Sequence, residues 1–303
     1  MKGFVCDSLT KRIDKFMLSD ISFEINPGMV MGLVGTNGAG KTTLISTILG
    51  VGTYRLTEPD DKGEFFLSGY HFMKDVREYR NRIAYIFSEP PFTGSKYPEQ
   101  IGELYGYYYE TFDLEKYRKL LEEYNIPKNS NLEKLSTGQQ LKVQLAFALS
   151  YDADLYVMDE PAGNLDVDFR DELYQIIREL TAKDKMVILS SHLITELEEI
   201  ADILLWITKN DDESGVFFQG TIDDLKEEYR MIEADRYTIE KIPEKYVVGK
   251  RISEGHSEAL VRTCCSDDDL APDKWIDDMG LEKDTKIRYA DLSEIMYYVE
   301  KNK

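Results

Sequence analysis

Gly35-Thr36-Asn37-Gly38-Ala39-Gly40-Lys41-Thr42-Thr43 has the residue types and spacing of a loop that cradles phosphate, G-x-x-x-x-G-K-[ST]. Glycine lets several backbone N–H groups converge on one anion, because no Cβ stands in the way. The lysine of such a loop reaches the β- and γ-phosphates, and the hydroxyl after it helps hold Mg²⁺. The flanks suit this chemistry. Met29 to Val34 is a short apolar run that predicts a buried strand, and Thr42 to Leu49 predicts a helix stopped by Gly50 and Gly52. A helix N-terminus behind the loop adds partial positive charge. A coincidental glycine turn is the competing account, and the strand and helix on either side speak against it. The stretch therefore predicts a nucleoside triphosphate site, with Thr36, Asn37, Gly38, Ala39, Gly40, Lys41, Thr42 and Thr43 against the phosphates.

Two further stretches carry chemistry. Tyr156-Val157-Met158-Asp159-Glu160-Pro161 ends an apolar run on adjacent carboxylates. Beside a phosphate loop, Asp159 can organise Mg²⁺ and Glu160 can polarise an attacking water. Leu135-Ser136-Thr137-Gly138-Gln139-Gln140 opens a predicted helix, Leu141 to Leu149, with Ser136 as its N-cap. The N–H groups at such a helix start can hold an anion, although alone the stretch is only a well-capped helix.

The elements that must position these residues follow from periodicity. Up to about residue 34 apolar and polar residues alternate, as in Leu18 to Ile25, which predicts half-exposed antiparallel strands. Glu64 to Gly69 and Ile83 to Phe87 predict further strands, and the chain from Glu99 to Leu149 is helical by period with a joint at Ile126-Pro127. Its dense tyrosines read as an aromatic core with surface tips or, alternatively, as a docking face for another protein. Strands at Leu155 to Met158, Met186 to Ser190 and Ile203 to Ile207 then alternate with helices at Val167 to Leu180 and Ile194 to Ile200. That alternation predicts a mostly parallel sheet wrapped by helices. Asn210 to Gly215 predicts a hairpin turn leading into Val216-Phe217-Phe218. Beyond Arg230, strands are expected at Tyr237-Thr238-Ile239, Ala259-Leu260-Val261 and Lys286 to Tyr289, and helices at Pro272 to Met279 and Leu292 to Val299.

Composition narrows the partners. A net charge of −20 over 303 residues argues against nucleic acid, whose binding proteins carry basic footprints. It does not exclude ATP, since the loop, Lys41 and a metal ion supply local positive charge. Cys6, Cys264 and Cys265 cannot build a disulfide framework, which points to a reducing compartment, and the adjacent pair is expected at strand positions. No apolar run approaches the roughly 20 residues of a membrane span, and the first residues lack the apolar core of a signal peptide.

Taken in order, the motifs resemble the ATP-binding subunit of an ABC transporter. Gly35 to Thr42 matches Walker A, and Tyr156 to Asp159 matches Walker B with Glu160 in the catalytic glutamate position. Leu135 to Gln139 matches the signature LSGGQ, with Thr137 in place of its first glycine. Gly163-Asn164-Leu165-Asp166 matches the D-loop, and His192 the switch histidine. The resemblance covers about residues 1–228 and implies an ABC-type ATPase fold. That fold is α/β, with a mainly parallel sheet, an N-terminal antiparallel β subdomain and a helical signature subdomain over about residues 90–150. Residues 229–303 remain as a small α+β domain with no motif. The resemblance further implies two cassettes, identical or not, closing head to tail around two ATP molecules. Ser136, Thr137, Gly138 and Gln139 would then face the γ-phosphate bound by the other cassette, His192 would contact γ-phosphate, and Asp166 would report across the interface. An integral membrane permease on a separate chain is the implied partner, with the cassette peripheral on the cytoplasmic face of the membrane.

The chain departs from the family at two places. Ser88-Glu89 stands where the family has the glutamine of the Q-loop, which leaves Ser88 as the short-reaching candidate at the metal. Upstream of Walker A, Ile13 occupies the position of the aromatic residue that stacks on adenine. Phe16 is then the nearby stacking candidate, with core packing as its alternative role. Thr208-Lys209-Asn210-Asp211 fits the guanine-reading motif of GTPases and Asp60 to Gly63 fits D-x-x-G, but their distances from Walker A are wrong for a compact GTPase. A soluble ABC ATPase acting on DNA or ribosomes is the remaining alternative. The run from Phe87 to Ser136 is too short for the coiled coil of the DNA-repair relatives, and the chain has one Walker A where ribosome-acting relatives carry two.

Overall fold

The computed structural model describes residues 3–51, 56, 59–87, 91–92, 97–161, 167–191, 194–253, 255–263 and 285–302. The chain divides into two compact units, Met1–Gln219 and Gly220–Lys303.

The first unit is built on one sheet. Its strands are β1 (Phe4–Ile13), β2 (Phe16–Ile25), β3 (Val30–Val34), β4 (Lys62–Leu67), β5 (Tyr70–His71), β6 (Ile83–Ile86), β7 (Leu155–Asp159), β8 (Met186–Ser190), β9 (Ile203–Asn210) and β10 (Glu213–Gly220). Their order is β5-β4-β1-β2-β10-β9-β3-β8-β7-β6. Strands β6, β7, β8, β3 and β9 run parallel, with Val30 opposite Val187, Tyr156 opposite Val187 and Val34 opposite Trp206. Every residue of β3, β7 and β8 is buried. This is why their sequences are unbroken apolar runs: a parallel strand covered by helices on both faces has no solvent side on which to place polar residues.

Strands β1 and β2 pair antiparallel, as the alternating pattern predicts, and β4 and β5 extend the same antiparallel region. They do not form a separate layer, because β2 continues into the parallel region by pairing with β10, Met17 opposite Glu213. One apolar core runs beneath both regions, from Phe4, Phe23 and Phe65 to Ile188 and Leu205. Helix α1 (Lys41–Leu49) packs into this core through Leu44, Ile45 and Ile48 and ends at Gly50 in a left-handed conformation.

Helices α2 (Val76–Asn81), α3 (Pro98–Tyr105), α4 (Leu114–Glu123) and α5 (Thr137–Ala148) follow, the last three lying in the expected helical region. Phe147 of α5 is the hub of their aromatic packing, with ring centroids 4.9 Å from Phe112 and 5.6 Å from Tyr109. Of the tyrosines here, Tyr117 and Tyr124 are buried, whereas Tyr107 and Tyr108 are exposed. Helices α6 (Val167–Thr181) and α7 (Ile194–Ile200) flank β8 as expected. No helix among the described residues is long and apolar enough to cross a membrane.

The second unit begins ahead of the boundary expected after residue 228, because α8 (Ile222–Glu227) packs on β11 (Tyr229–Ala234). The segment at Tyr237-Thr238-Ile239 is not the expected strand. It lies in α9 (Arg236–Lys241), because Asp235 caps a helix there by accepting from Tyr237 N at 2.7 Å and Thr238 N at 3.2 Å. Local capping outweighs the β-propensity of Tyr, Thr and Ile. Strands β12 (Val247–Arg251), β13 (Ser257–Arg262) and β14 (Lys286–Tyr289) complete an antiparallel sheet in the order β12-β13-β11-β14, and α10 (Leu292–Lys301) closes the chain. The expected helix at Pro272 to Met279 and the Cys264-Cys265 pair lie outside the described residues.

Candidate functional site

The C-terminal ends of β3, β7 and β8 lie side by side, which gathers residues far apart in sequence at one edge of the sheet. The phosphate loop leaves β3 here and turns into α1. Gly35 and Gly40 are fixed as glycines by crowding. A Cβ on Gly35 would come within 2.4 Å of the Ile207 carbonyl oxygen, and one on Gly40, at φ +96°, would come within 2.6 Å of the Phe16 ring. Lys41 is buried, and its ammonium bends back over the loop to donate to Gly35 O at 2.7 Å and Thr36 O at 3.4 Å. Ala39 faces the other way. It is fully buried in the core, so its side chain supports the loop from beneath.

Asp159 and Glu160 leave the end of β7 in different directions. Asp159 is buried and joined at both oxygens: Thr42 Oγ1 donates to Oδ2 at 3.2 Å, and Ser190 Oγ donates to Oδ1 at 2.5 Å. Hydroxyl and carboxylate oxygens are the hard donors that Mg²⁺ prefers. It usually needs only one or two of them from a protein, the remainder coming from phosphate and water. The Thr42–Asp159 pair fits that ion. Glu160 adopts φ +52°, a left-handed conformation unusual for a non-glycine residue, held by hydrogen bonds from its N–H to Ser190 O and Ser190 Oγ. The resulting kink separates the two adjacent carboxylates: Asp159 stays buried, and Glu160 lines the open cleft.

That cleft has a volume of about 860 Å³ and is lined by Thr36, Asn37, Gly38, Gly40, Lys41, Thr42, Thr43 and Glu160 on the phosphate side. Phe16 lines the same cleft with its ring against Gly40, and Ile13, Asp14, Lys15, Lys209 and Asp212 line it too. Phe16 is half-buried and packs against the core as well as facing the cleft, so both roles raised for it in the sequence coexist. The signature residues are elsewhere. Ser136 accepts from Gln139 N at 3.2 Å while Gln139 Oε1 accepts from Ser136 N at 3.1 Å, a reciprocal cap on α5. None of Ser136, Thr137, Gly138 or Gln139 lines the cleft. Ser88, Asp166 and His192 lie outside the described residues.

Three supporting residues escaped the sequence reading. Ser190 is one, visible in hindsight as a hydroxyl ending a wholly apolar strand. Gln144 is another: buried on α5, it pairs with the backbone of Phe87 in both directions, accepting from N at 3.1 Å and donating to O at 3.0 Å. It ties the signature helix to the chain just before Ser88. The third is Glu196 of α7, buried, accepting from Ser191 Oγ at 2.9 Å and lying 3.3 Å from Arg170 Nε of α6. Its surroundings also act on Tyr174, whose phenol is pushed above its ordinary range by burial and then by the Glu196 carboxylate.

A phosphate loop after a central parallel strand, faced by an acidic strand end, defines a P-loop nucleotide-binding fold. The family model described as ABC transporter matches residues 18–163. The ABC transporter ATP-binding protein YtrB of Bacillus subtilis (strain 168) is 29% identical over 229 residues, covering 74% of each chain. The Nod factor export ATP-binding protein I of Rhizobium etli is 32% identical over 198 residues, which span 63% of this chain and 60% of that one. Among solved structures, an ATP-binding subunit of an ABC transporter superposes with a TM-score of 0.65 at 27% identity, covering 75% of this chain and 92% of the other. This chain belongs to the ABC transporter ATP-binding family, whose cassettes hydrolyse ATP to drive transport.

Replacing Glu196 by alanine would leave the Arg170 guanidinium facing an apolar gap. Urea unfolding is expected to show a loss of about 2–3 kcal/mol, below the cost at a fully buried pair because Arg170 is 30% exposed. A loss under about 0.5 kcal/mol would show that the pair is merely a surface contact.

Proposed function

We propose that this cassette works in a pair, each member presenting its phosphate loop to the signature helix of the other, with two ATP molecules between them. The observation that carries this reading is the separation within one chain. Lys41, Thr42 and Glu160 share a cleft, whereas the anion-binding start of α5, capped by Ser136, does not line it. The N–H groups of a helix's first turn point past its end, and Ser136 Oγ, which accepts from Gln139 N, keeps its own proton to donate. Such a donor set has a use if a second cassette brings its own γ-phosphate to it. The partner cassette is a second copy of this chain or a non-identical one.

Within each site the residues divide the work. Lys41 and the loop N–H groups hold the β- and γ-phosphates and orient them for in-line attack. Thr42 and Asp159 would hold Mg²⁺, which when bound neutralises charge on the phosphate oxygens. Glu160 accepts a proton from water as its oxygen bonds to the γ-phosphorus, while the bond from that phosphorus to the β–γ bridging oxygen breaks and ADP departs. Loss of the γ-phosphate removes the anion held by both cassettes and lets them part. Asp166 and His192, in the D-loop and switch positions, are assigned to the shared interface and the γ-phosphate. Ser88 is assigned to the approach to the metal.

The motion is delivered to an integral membrane permease on a separate chain, at the cytoplasmic face of the membrane. The names of the relatives as transporter ATP-binding proteins support this. Residues 1–228 carry the cassette in this reading, with the remainder as an accessory domain.

Glu160→Gln is expected to bind ATP with nearly unchanged affinity and to lose turnover by roughly 10²–10⁴-fold. Phosphate release at the parent rate would remove Glu160 as the base. Ser136→Arg is expected to leave nucleotide binding by the single chain intact and to abolish ATPase activity. Full activity in that variant would sever the signature helix from the reaction.

A further inference from the structure

Lys209, near the end of β9, and Asp212, in the turn to β10, line the nucleotide cleft, and the functions assigned above make no use of them. Three contacts fix that turn beside the phosphate loop and Phe16. The end of β9 runs so close to the loop that a Cβ on Gly35 would strike the Ile207 carbonyl. Met17 N donates to Asp212 O at 2.8 Å, and β10 continues alongside β2 with Glu213 opposite Met17 and Ser214 opposite Leu18. The Lys209 ammonium lies 5.8 Å from the centre of the Phe16 ring. A cation over the Phe16 ring and a carboxylate thus line one cleft, at the end of β9 and in the turn that follows it. Among the described residues neither has an ion-pair partner, although the protein carries a net charge of −20 and its surface is laced with ion pairs.

We propose that Lys209 and Asp212 read the edge of the base that stacks on Phe16, Asp212 accepting from its exocyclic amine and Lys209 donating to a ring nitrogen beside that amine. The proposal rests on the cleft being the ATP site. Stacking on one aromatic ring discriminates poorly, because every base has a π face. Selectivity needs a donor and an acceptor aimed at the base edge, and adenine offers a 6-amino donor flanked by ring-nitrogen acceptors. An ammonium at the end of β9 and a carboxylate in the turn after it match that pattern. The same segment explains the fit of Thr208-Lys209-Asn210-Asp211 to a guanine-reading motif without making the chain a GTPase. Lys209 does face the nucleotide cleft, but Asp212 lines it where the motif would require Asp211.

The test compares the affinity of the full chain for three probes in Mg²⁺: ATP, purine riboside 5′-triphosphate, which lacks the 6-amino group, and inorganic tripolyphosphate, which reports the phosphate loop alone. The parent protein is expected to prefer ATP over the purine riboside analogue about tenfold, the scale of one hydrogen bond to a charged group at a partly exposed site. Asp212→Ala is expected to bring that ratio close to one by weakening ATP alone. Lys209→Ala is expected to weaken both nucleotides alike, because both retain the ring nitrogens. Tripolyphosphate binding at the parent affinity shows that each variant is folded. The proposal is overturned if Asp212→Ala keeps the parent ratio, or if the parent shows no preference, while tripolyphosphate still binds; the phosphate-site reading then stands. If the parent binds neither ATP nor tripolyphosphate, both fall together.

Discussion

A hydrogen-bonded line of side chains, Ser190 to Asp159 to Thr42, ties together the ends of β8 and β7 and the helix that follows β3. It is short, largely buried and made of oxygens, and the rest of the site hangs from it. Asp159 is held at both carboxylate oxygens by hydroxyl donors, Thr42 on one side and Ser190 on the other. Ser190 also accepts the Glu160 N–H, which stabilises the left-handed turn that sends Glu160 into the cleft. One serine therefore separates the roles of two adjacent carboxylates, the buried one suited to a metal and the exposed one to a water.

This arrangement answers the problem of putting a polyphosphate on a strongly acidic protein. The positive character is supplied almost entirely by geometry: backbone N–H groups around glycines, the start of α1, and one lysine bent over the loop. The same device recurs at the start of α5, where a reciprocal cap between Ser136 and Gln139 leaves the helix end presented outward. Gln144 sits two turns further along that helix and grips the Phe87 backbone, so a shift of α5 cannot leave the end of β6 undisturbed. Glu196 makes a comparable link between α6 and the residue before His192.

Much of this was legible in the sequence because its signals are local. Strands β3, β7 and β8 announce themselves as unbroken apolar runs, the loop by its glycine spacing, and α5 by a cap whose two members lie three residues apart. Ser190, Gln144 and Glu196 were not legible, because each acts on a partner remote in the chain and nothing in its neighbourhood marks it. The segment at Tyr237 was misjudged for the opposite reason. Its side chains favour a strand, and the single preceding Asp235, whose carboxylate satisfies two N–H groups, decides for a helix. The segment holding Lys209 and Asp212 was noticed as a motif, and only the pairing of β10 with β2 gives it a position beside the cleft.

The account stands on the composite site, in which ATP joins two cassettes. Sedimentation velocity of the Glu160→Gln variant, with Mg²⁺ and with or without ATP, tests it most directly. A single chain without nucleotide that converts to a dimer with ATP, and not with ADP, is the predicted result. A single chain under every condition, including in the presence of its membrane partner, would contradict it.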